Sequence, residues 1–251
     1  MTKPVAIVTG ASRGVGKAVA LLLAEKGWNL TLTCSSSLKE AKKVAKECND
    51  LGAETIVLTA DVSDVSKCKE TVQKTIEEWK RLDVLINNAG KTVFNAHENL
   101  AGLKSEDFLE IYKTNTVGPY MMIKEAEEFL RKSPIASVVN IASIAGVIGV
   151  GSSIAYVASK GALVMMTKSL AKALGPIRIN AICPGFIEGE WLKKGLGDEA
   201  YEATKNYIES STPLNMVCNH EKVAKGVWFF VEDAVATTGE TLILDGGFHL
   251  K

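Results

Sequence analysis

Val5-Ala6-Ile7-Val8-Thr9-Gly10-Ala11-Ser12-Arg13-Gly14-Val15-Gly16-Lys17-Ala18-Val19-Ala20-Leu21-Leu22-Leu23 joins an apolar run, a glycine-spaced turn and an apolar stretch of helical period. It predicts a strand at Val5–Thr9 and a helix from about Val15 to Lys26. A strand without polar alternation is buried on both faces, the mark of a parallel sheet covered by helices. Gly10, Gly14 and Gly16 let the backbone turn tightly and come close to a pyrophosphate, whose charge sits at the positive end of the following helix. The spacing is Gly-x-x-x-Gly-x-Gly rather than Gly-x-Gly-x-x-Gly. Taken alone such a triad also fits an ordinary turn; its place at the first strand–helix junction is where sheets of this kind bind nucleotides.

The rhythm continues. Strands are expected at Leu30–Cys34, Thr55–Thr59, Asp83–Asn87, Ser137–Ile141, Ile177–Cys183 and Thr241–Leu244. Helices are expected at Leu38–Leu51, Val65–Lys80, Glu106–Lys132 (as one long helix), Ile154–Leu174 and His220–Glu232. Strict alternation of this kind predicts an α/β fold, a single-domain Rossmann-type doubly wound parallel sheet of about seven strands with helices on both faces. No repeat or composition shift divides residues 1–251, so one NAD(P)-binding domain is expected. The rhythm breaks between Pro184 and Asn219, where a polar, glycine-dotted stretch through Lys193–Asp198 precedes a short helix at Glu199–Ser210. Long excursions in compact domains are usually lids or binding loops, so a substrate lid is expected within about 186–212.

Composition excludes several classes. The 29 basic and 29 acidic residues cancel, which leaves no electrostatic footprint for nucleic acid. Five scattered cysteines without a Cys-x-x-Cys pair argue against a disulfide framework and a zinc site, and suit a reducing compartment. The first ten residues carry no signal-peptide core, and no window offers 18 consecutive apolar residues. A cytoplasmic protein that uses neither membrane nor metal is expected.

The chemistry gathers in Ser143–Lys160. Tyr156 and Lys160, four apart, share one face of a helix. A free phenol has a pKa near ~10, and a cation beside it lowers that value toward general acid–base use. Ser143 adds a hydroxyl that can donate to a carbonyl oxygen. The end of the second strand addresses cofactor choice. NAD-type sites carry an acidic residue there for the ribose 2′-hydroxyl. This chain has Cys34-Ser35-Ser36-Ser37, with no carboxylate until Glu40. Ser35 and Ser36 can donate to a 2′-phosphate, and Arg13 supplies a cation, so NADP(H) is preferred over NAD(H). The serines also suit the cap of the next helix.

These motifs, in order, resemble a short-chain dehydrogenase/reductase from Val5 nearly to the end. Thr9–Gly16, with Ser12, Arg13 and Val15, resembles the family's cofactor loop, and Asp61-Val62 its adenine contact. Asn87-Asn88-Ala89-Gly90 is similar to its Asn-Asn-Ala-Gly signature, and Pro184-Gly185 with Ile187 to its nicotinamide-side loop. Thr238-Gly239-Glu240 and Asp245-Gly246-Gly247 resemble its C-terminal pattern. The resemblance implies Asn115, Ser143, Tyr156 and Lys160 as the catalytic residues: Tyr156 as acid or base, Lys160 tuning it and binding ribose, Ser143 holding the oxygen, and Asn115 holding a relay water. One departure stands out. Family members often place a Thr or Asp shortly after Pro-Gly-Phe-Ile to contact the carboxamide, whereas this chain has Glu188-Gly189-Glu190.

The implied function is NADP-dependent hydride transfer between nicotinamide and a carbonyl or alcohol (EC 1.1.1 class). The branch most resembled is that of the 3-oxoacyl-(acyl-carrier-protein) reductases, with 3-oxoacyl thioesters among the candidate substrates. Reductases of sugars, steroids and small ketones share the same motifs. Extended epimerases are longer, and non-catalytic NADP-binding regulators tend to lose the tyrosine or lysine kept here. A carrier protein could dock on Arg131, Lys132, Lys168 and Lys172. The helix Ile154–Leu174 is apolar nearly all round, which suggests a subunit contact, and the resemblance implies a homo-oligomer, dimer or tetramer. His97, His220 and His249 lie outside every motif and read as surface residues.

Overall fold

The computed structural model describes residues 3–251; the first two residues of the expected 1–251 domain lie outside them. Seven parallel strands form one sheet in the order β3-β2-β1-β4-β5-β6-β7. The strands are β1 (Val5–Val8), β2 (Asn29–Cys34), β3 (Thr55–Thr59), β4 (Val84–Asn87), β5 (Ser137–Ile141), β6 (Arg178–Pro184) and β7 (Thr241–Leu244). The first four connecting helices are α1 (Gly14–Glu25), α2 (Leu38–Asp50), α3 (Val65–Trp79) and α4 (Ser105–Tyr112). They are followed by α5 (Gly118–Leu130), α6 (Ala145–Ile148), α7 (Ile154–Ala173), α8 (Glu190–Leu196), α9 (Asp198–Ser211) and α10 (His220–Trp228).

Side-chain alternation divides each central strand between two cores. Ala6 and Val8 of β1, Val84 and Ile86 of β4 and Val139 of β5 pack with α1, α2 and α10. Ile7, Leu85 and Val138 point the other way, to Val72 of α3, Met122 and Ala126 of α5 and Ala171 of α7. Residues of β1, β2, β4 and β5 are fully buried, whereas β3 and β7 are partly exposed, as edge strands must be. The doubly wound sheet is therefore as expected. Strand order reverses between β1 and β4, opening a crevice at their carboxyl ends.

The structure corrects the sequence reading in three places. The expected single helix 106–132 is two helices joined by a π-helical turn, Lys113–Val117. Gly118 there packs so closely on Val62 that a Cβ would lie 2.9 Å from its side chain, and Pro119 follows with no N–H to give. The widened turn faces Asn115, fully buried, inward. Secondly, the polar stretch read as irregular contains α8 and leads directly into α9. Thirdly, the last long helix stops at Trp228 and passes into a π turn, Phe229–Asp233.

All five cysteines are free and buried. Burial pushes every thiol up: Cys48 to about 12, Cys68 and Cys183 to about 11, and Cys34 and Cys218 in the same direction. Among the described residues no three metal-ligating side chains gather, and no helix is long and apolar enough to cross a membrane.

Asp83 anchors the bottom of the sheet. Its carboxylate, 1% exposed, accepts from the Val5 N–H (2.8 Å), from Arg81 through two nitrogens (2.8 Å each) and from Ser133 Oγ (2.6 Å). Asp83→Ala would strand these donors, and should lower unfolding free energy by about 3 kcal/mol. A shifted urea midpoint with an unchanged slope would show it, and a shift under about 0.5 kcal/mol would refute the anchoring role.

Candidate active site

The carboxyl ends of β1 and β4 are knotted together. The Asn88 side-chain amide donates to the carbonyls of Thr9 (2.8 Å) and Gly10 (3.0 Å). Backbone N–H groups of Asn88 and Ala89 donate in return to Thr9 Oγ1, at 3.0 Å each. Gly10, at φ +65°, lies where a Cβ would come within 3.0 Å of Ala89 Cα. The loop is also tied to β2 by the Ala11 N–H to the Thr33 carbonyl at 2.9 Å.

The glycine loop fits a dinucleotide. Arg13 occupies the N-cap of α1 in extended conformation, its side chain makes no cap bond, and the first helical turn carries no acid. The amide donors of that turn are thus left to an anion. Ser12 and Val15 are partly exposed beside it, and Gly16 is buried against the Gly10 carbonyl. After β2, Ser35 and Ser36 are exposed. Ser37 takes the N-cap position of α2 with no side-chain cap bond. Glu40 is engaged by Lys43 at 3.0 Å. Asp61 is exposed, with its carboxylate accepting from the Ser63 N–H (2.9 Å), and Val62 is buried under Gly118. Asp61 follows β3, whose carboxyl end shares this edge of the sheet.

The catalytic candidates meet on the same edge. Ser153 caps α7 by accepting from the Tyr156 N–H at 3.2 Å, which sets Tyr156 in the first turn. Lys160, one turn on and 4% exposed, donates from Nζ to the Ile141 carbonyl of β5 at 2.7 Å. Its Nζ lies 5.7 Å from the Tyr156 ring centroid. Ser143 Oγ accepts from the Ala145 N–H at 3.1 Å, and its hydroxyl lies close enough to the phenol to pull its pKa down. Asn115 donates to the Lys91 carbonyl (2.9 Å) and to Ser159 Oγ (3.0 Å), and accepts from the Lys91 N–H (2.9 Å). Ser159 Oγ donates to the Tyr156 carbonyl at 2.7 Å. Both amide hydrogens of Asn115 are therefore engaged, and the side chain acts as a brace. A Cβ built on Gly90 would touch both Asn115 Oδ1 (3.4 Å) and Lys160 Nζ (3.7 Å), so these two face one another across a backbone without side chain.

Electrostatics depart from the expectation that the cation dominates. Burial pushes the Tyr156 phenol up to about 12, against the opposing pull of the Ser143 hydroxyl. Burial also holds the Lys160 ammonium down, to about 8. Desolvation penalises both charged forms and dominates both shifts.

One residue of the 186–212 segment covers this site. Trp191 of α8 stands edge-on to Phe94, with centroids 5.7 Å apart, and tilted over Tyr156 at 6.3 Å. Its root is fixed by a bridge between Ile187 and Cys218, by the Tyr201 hydroxyl accepting from the Gly189 N–H (3.2 Å) and by packing of Phe186 on Tyr201. Pro184 and Gly185 are held by bonds to Ile144 (2.9 Å) and Leu244 (2.8 Å).

Every predicted site residue thus lies on or near one edge of the sheet. The histidines, expected at the surface, are partly exposed and each touches a neighbour. His97 bonds the Gly151 carbonyl at 3.1 Å, and His249 grips the Asp245 carboxylate at 2.9 Å. His220 leans on Gly14 and Gly189. Only its position at a helix start was visible in the sequence, and that points to no partner.

Comparison with known proteins places the chain among oxidoreductases of one family. The family model described as enoyl-(acyl carrier protein) reductase matches residues 10–249. A protein of Streptomyces violaceoruber named as a ketoacyl reductase of the granaticin polyketide synthase is 37% identical over 248 residues, 98% of this chain and 96% of that one. The 3-oxoacyl-[acyl-carrier-protein] reductase FabG of Staphylococcus aureus is 32% identical, covering 100% of this chain and 99% of its own. Among solved structures, one from Burkholderia xenovorans described as a short-chain dehydrogenase/reductase superposes with a TM-score of 0.91 at 34% identity, over the whole of both chains. An NAD+-bound xylitol dehydrogenase superposes with a TM-score of 0.88 at 28% identity, over 97% of this chain and 98% of its own.

A buried lysine with a depressed pKa binds fewer protons folded than unfolded between about 8 and 10.5. Its penalty is complete below pH 8 and is relieved as pH rises through that window. Lys160→Met should therefore gain stability over wild type at pH 7, and the difference should shrink by about 2 kcal/mol by pH 9.5. Urea titrations at both pH values test this; a difference independent of pH would contradict the depressed value.

Proposed function

The chain belongs to the short-chain dehydrogenase/reductase family of oxidoreductases, and from that premise we propose that it is an NADP-dependent carbonyl reductase whose acid is Tyr156. The observation that carries this reading is the Ser143–Tyr156–Lys160 cluster, roofed by Trp191, beside an uncapped phosphate loop.

When bound, the nicotinamide supplies a hydride to the carbonyl carbon. Everything else falls to this chain. The Tyr156 O–H, held protonated by burial across the neutral range, donates its proton to the alkoxide oxygen as negative charge develops. Ser143 donates to the same oxygen. In the oxidative direction the phenolate takes the alcohol proton. Lys160 spends one N–H on Ile141 and has two left for the ribose hydroxyls and the relay. Asn115 holds the Gly90–Lys91 turn and the α7 backbone in register, and the water that links Lys160 to solvent is assigned to this turn.

NADP preference is supported by the exposed Arg13, by Ser35 and Ser36, and by the lack of a carboxylate at the end of β2. Gly10, Ser12–Gly16, Asp61, Val62, Asn88–Gly90, Pro184, Gly185 and Ile187 complete the cofactor groove. Residues 186–212 act as the lid. Its aromatic roof of Trp191, with Phe94, favours a substrate with an apolar portion beside the carbonyl. The ketoacyl reductase relatives make a 3-oxoacyl thioester the substrate we favour. Carrier-protein docking on the basic residues is less well supported, because Arg131 and Lys132 are paired with Glu127 and Glu128 on their own helix. A homo-oligomer is supported by Leu109 and Tyr112 on α4 and Met165 on α7, exposed on two helices that pack together.

Tyr156→Phe should cut kcat by at least about a thousandfold with NADPH affinity nearly unchanged; turnover retained within tenfold would remove the proposed acid. Initial rates with NADPH and NADH, over carbonyls that include 3-oxoacyl thioesters, test cofactor and substrate together, and an NADH preference would reverse the serine argument. Light scattering at micromolar concentration should give a multiple of the chain mass; a monomer would dismiss the α4–α7 face as a contact.

A further inference from the structure

His220 has no part in the reading above, yet it lies at its centre. It opens α10, directly after Asn219, whose side chain caps the helix by accepting from the Lys222 N–H at 2.9 Å. A Cβ built on Gly14 would lie 3.6 Å from His220 Nε2. One built on Gly189 would lie 2.9 Å from Cε1 and 3.0 Å from the same Nε2. One edge of the imidazole therefore touches both the phosphate loop and the root of the 186–212 segment. Both glycines have positive φ, +59° and +147°, so neither carries a side chain in between. No hydrogen bond or ion pair joins the ring to any described residue, although it is partly buried. The ring fills the volume that a side chain at position 189 would need.

A polar group without a partner, beside uncapped helix donors that suit an anion, is placed to add a donor of its own. We propose that His220 is a cofactor-contacting residue, its ring N–H donating to the pyrophosphate of the bound dinucleotide from the side opposite the α1 amides. The phosphate then becomes the joint between glycine loop, lid root and α10. The inference rests on the nicotinamide-dinucleotide reading of the site.

Fluorescence titration of NADPH onto wild type, His220→Gln and His220→Leu tests it, with circular dichroism to check each fold. The leucine variant should bind about tenfold more weakly, the loss of one hydrogen bond to a charged group. The glutamine variant, which keeps an N–H donor, should stay within about threefold of wild type. His220→Asn, too short to bridge the gap, provides the same contrast should the leucine variant not fold. In competition, 2′-phospho-ADP-ribose should lose the same factor in the leucine variant, whereas adenosine 2′-monophosphate, which lacks the pyrophosphate, should lose none. Unchanged NADPH affinity in the leucine variant would overturn the inference. Equal losses for glutamine and leucine, or for both fragments, would also overturn it, leaving a ring that only fills space. A wild-type protein that binds neither NADPH nor NADH would defeat the parent reading, and this inference with it.

Discussion

The bond that most of the site hangs from is that of the Asn88 amide to the Thr9 and Gly10 carbonyls. It closes the split where strand order reverses, and so fixes the glycine loop relative to β4. From there the path is continuous. Asn88 leads into Gly90 and Lys91, both backbone groups of Lys91 are held by Asn115, and Asn115 donates to Ser159. Ser159 in turn bonds the Tyr156 carbonyl, while Thr116 bonds the Ser159 carbonyl at 2.9 Å. The loop that fits a phosphate and the helix that carries the phenol are thus parts of one hydrogen-bonded frame. A bond lost near Asn88 would be felt at Tyr156 as misalignment, and alignment at the sub-ångström scale is much of what such sites supply.

Two opposed demands meet at α7. The chemistry wants charges that can form, and the packing around Lys160 disfavours them. The protein resolves this by keeping the phenol protonated, beside the Ser143 hydroxyl, and placed in the first turn of a helix whose dipole favours the phenolate when it does form. The roof of Trp191 and Phe94 works in the same direction, since thinning the water strengthens every remaining dipole. The tyrosine is better described as a sheltered acid than as a base held in readiness.

How much of this the sequence made legible depends on the range of the interaction. Strands such as Thr55–Thr59 and Ser137–Ile141 declare themselves residue by residue, because apolar runs in a parallel sheet need nothing else. Tyr156, Lys160 and Ser143 were readable because their spacing is local. The π turn at Lys113–Val117 was not, since one extra residue per turn leaves little trace in a helical pattern. Helix α8, with Lys193, Lys194 and Gly195, lacks an apolar period; the Trp191 contacts with Phe94 and Tyr156 help hold it. His220 was invisible because its neighbours are two glycines far away in sequence. The direction of the Tyr156 shift was missed for a related reason: desolvation is a property of the packed interior and not of neighbouring letters.

The five sealed cysteines give the molecule a property unrelated to turnover. Thiolates are the nucleophilic form, and here both burial and raised pKa suppress them. An alkylating reagent at neutral pH can mark such a chain only while a segment stands open. The cysteines lie on β2, α2, α3, β6 and the loop before α10, so each reports on a different part of the fold. The rate at which each is labelled would then be a local opening frequency, and the protein carries its own map of where it breathes.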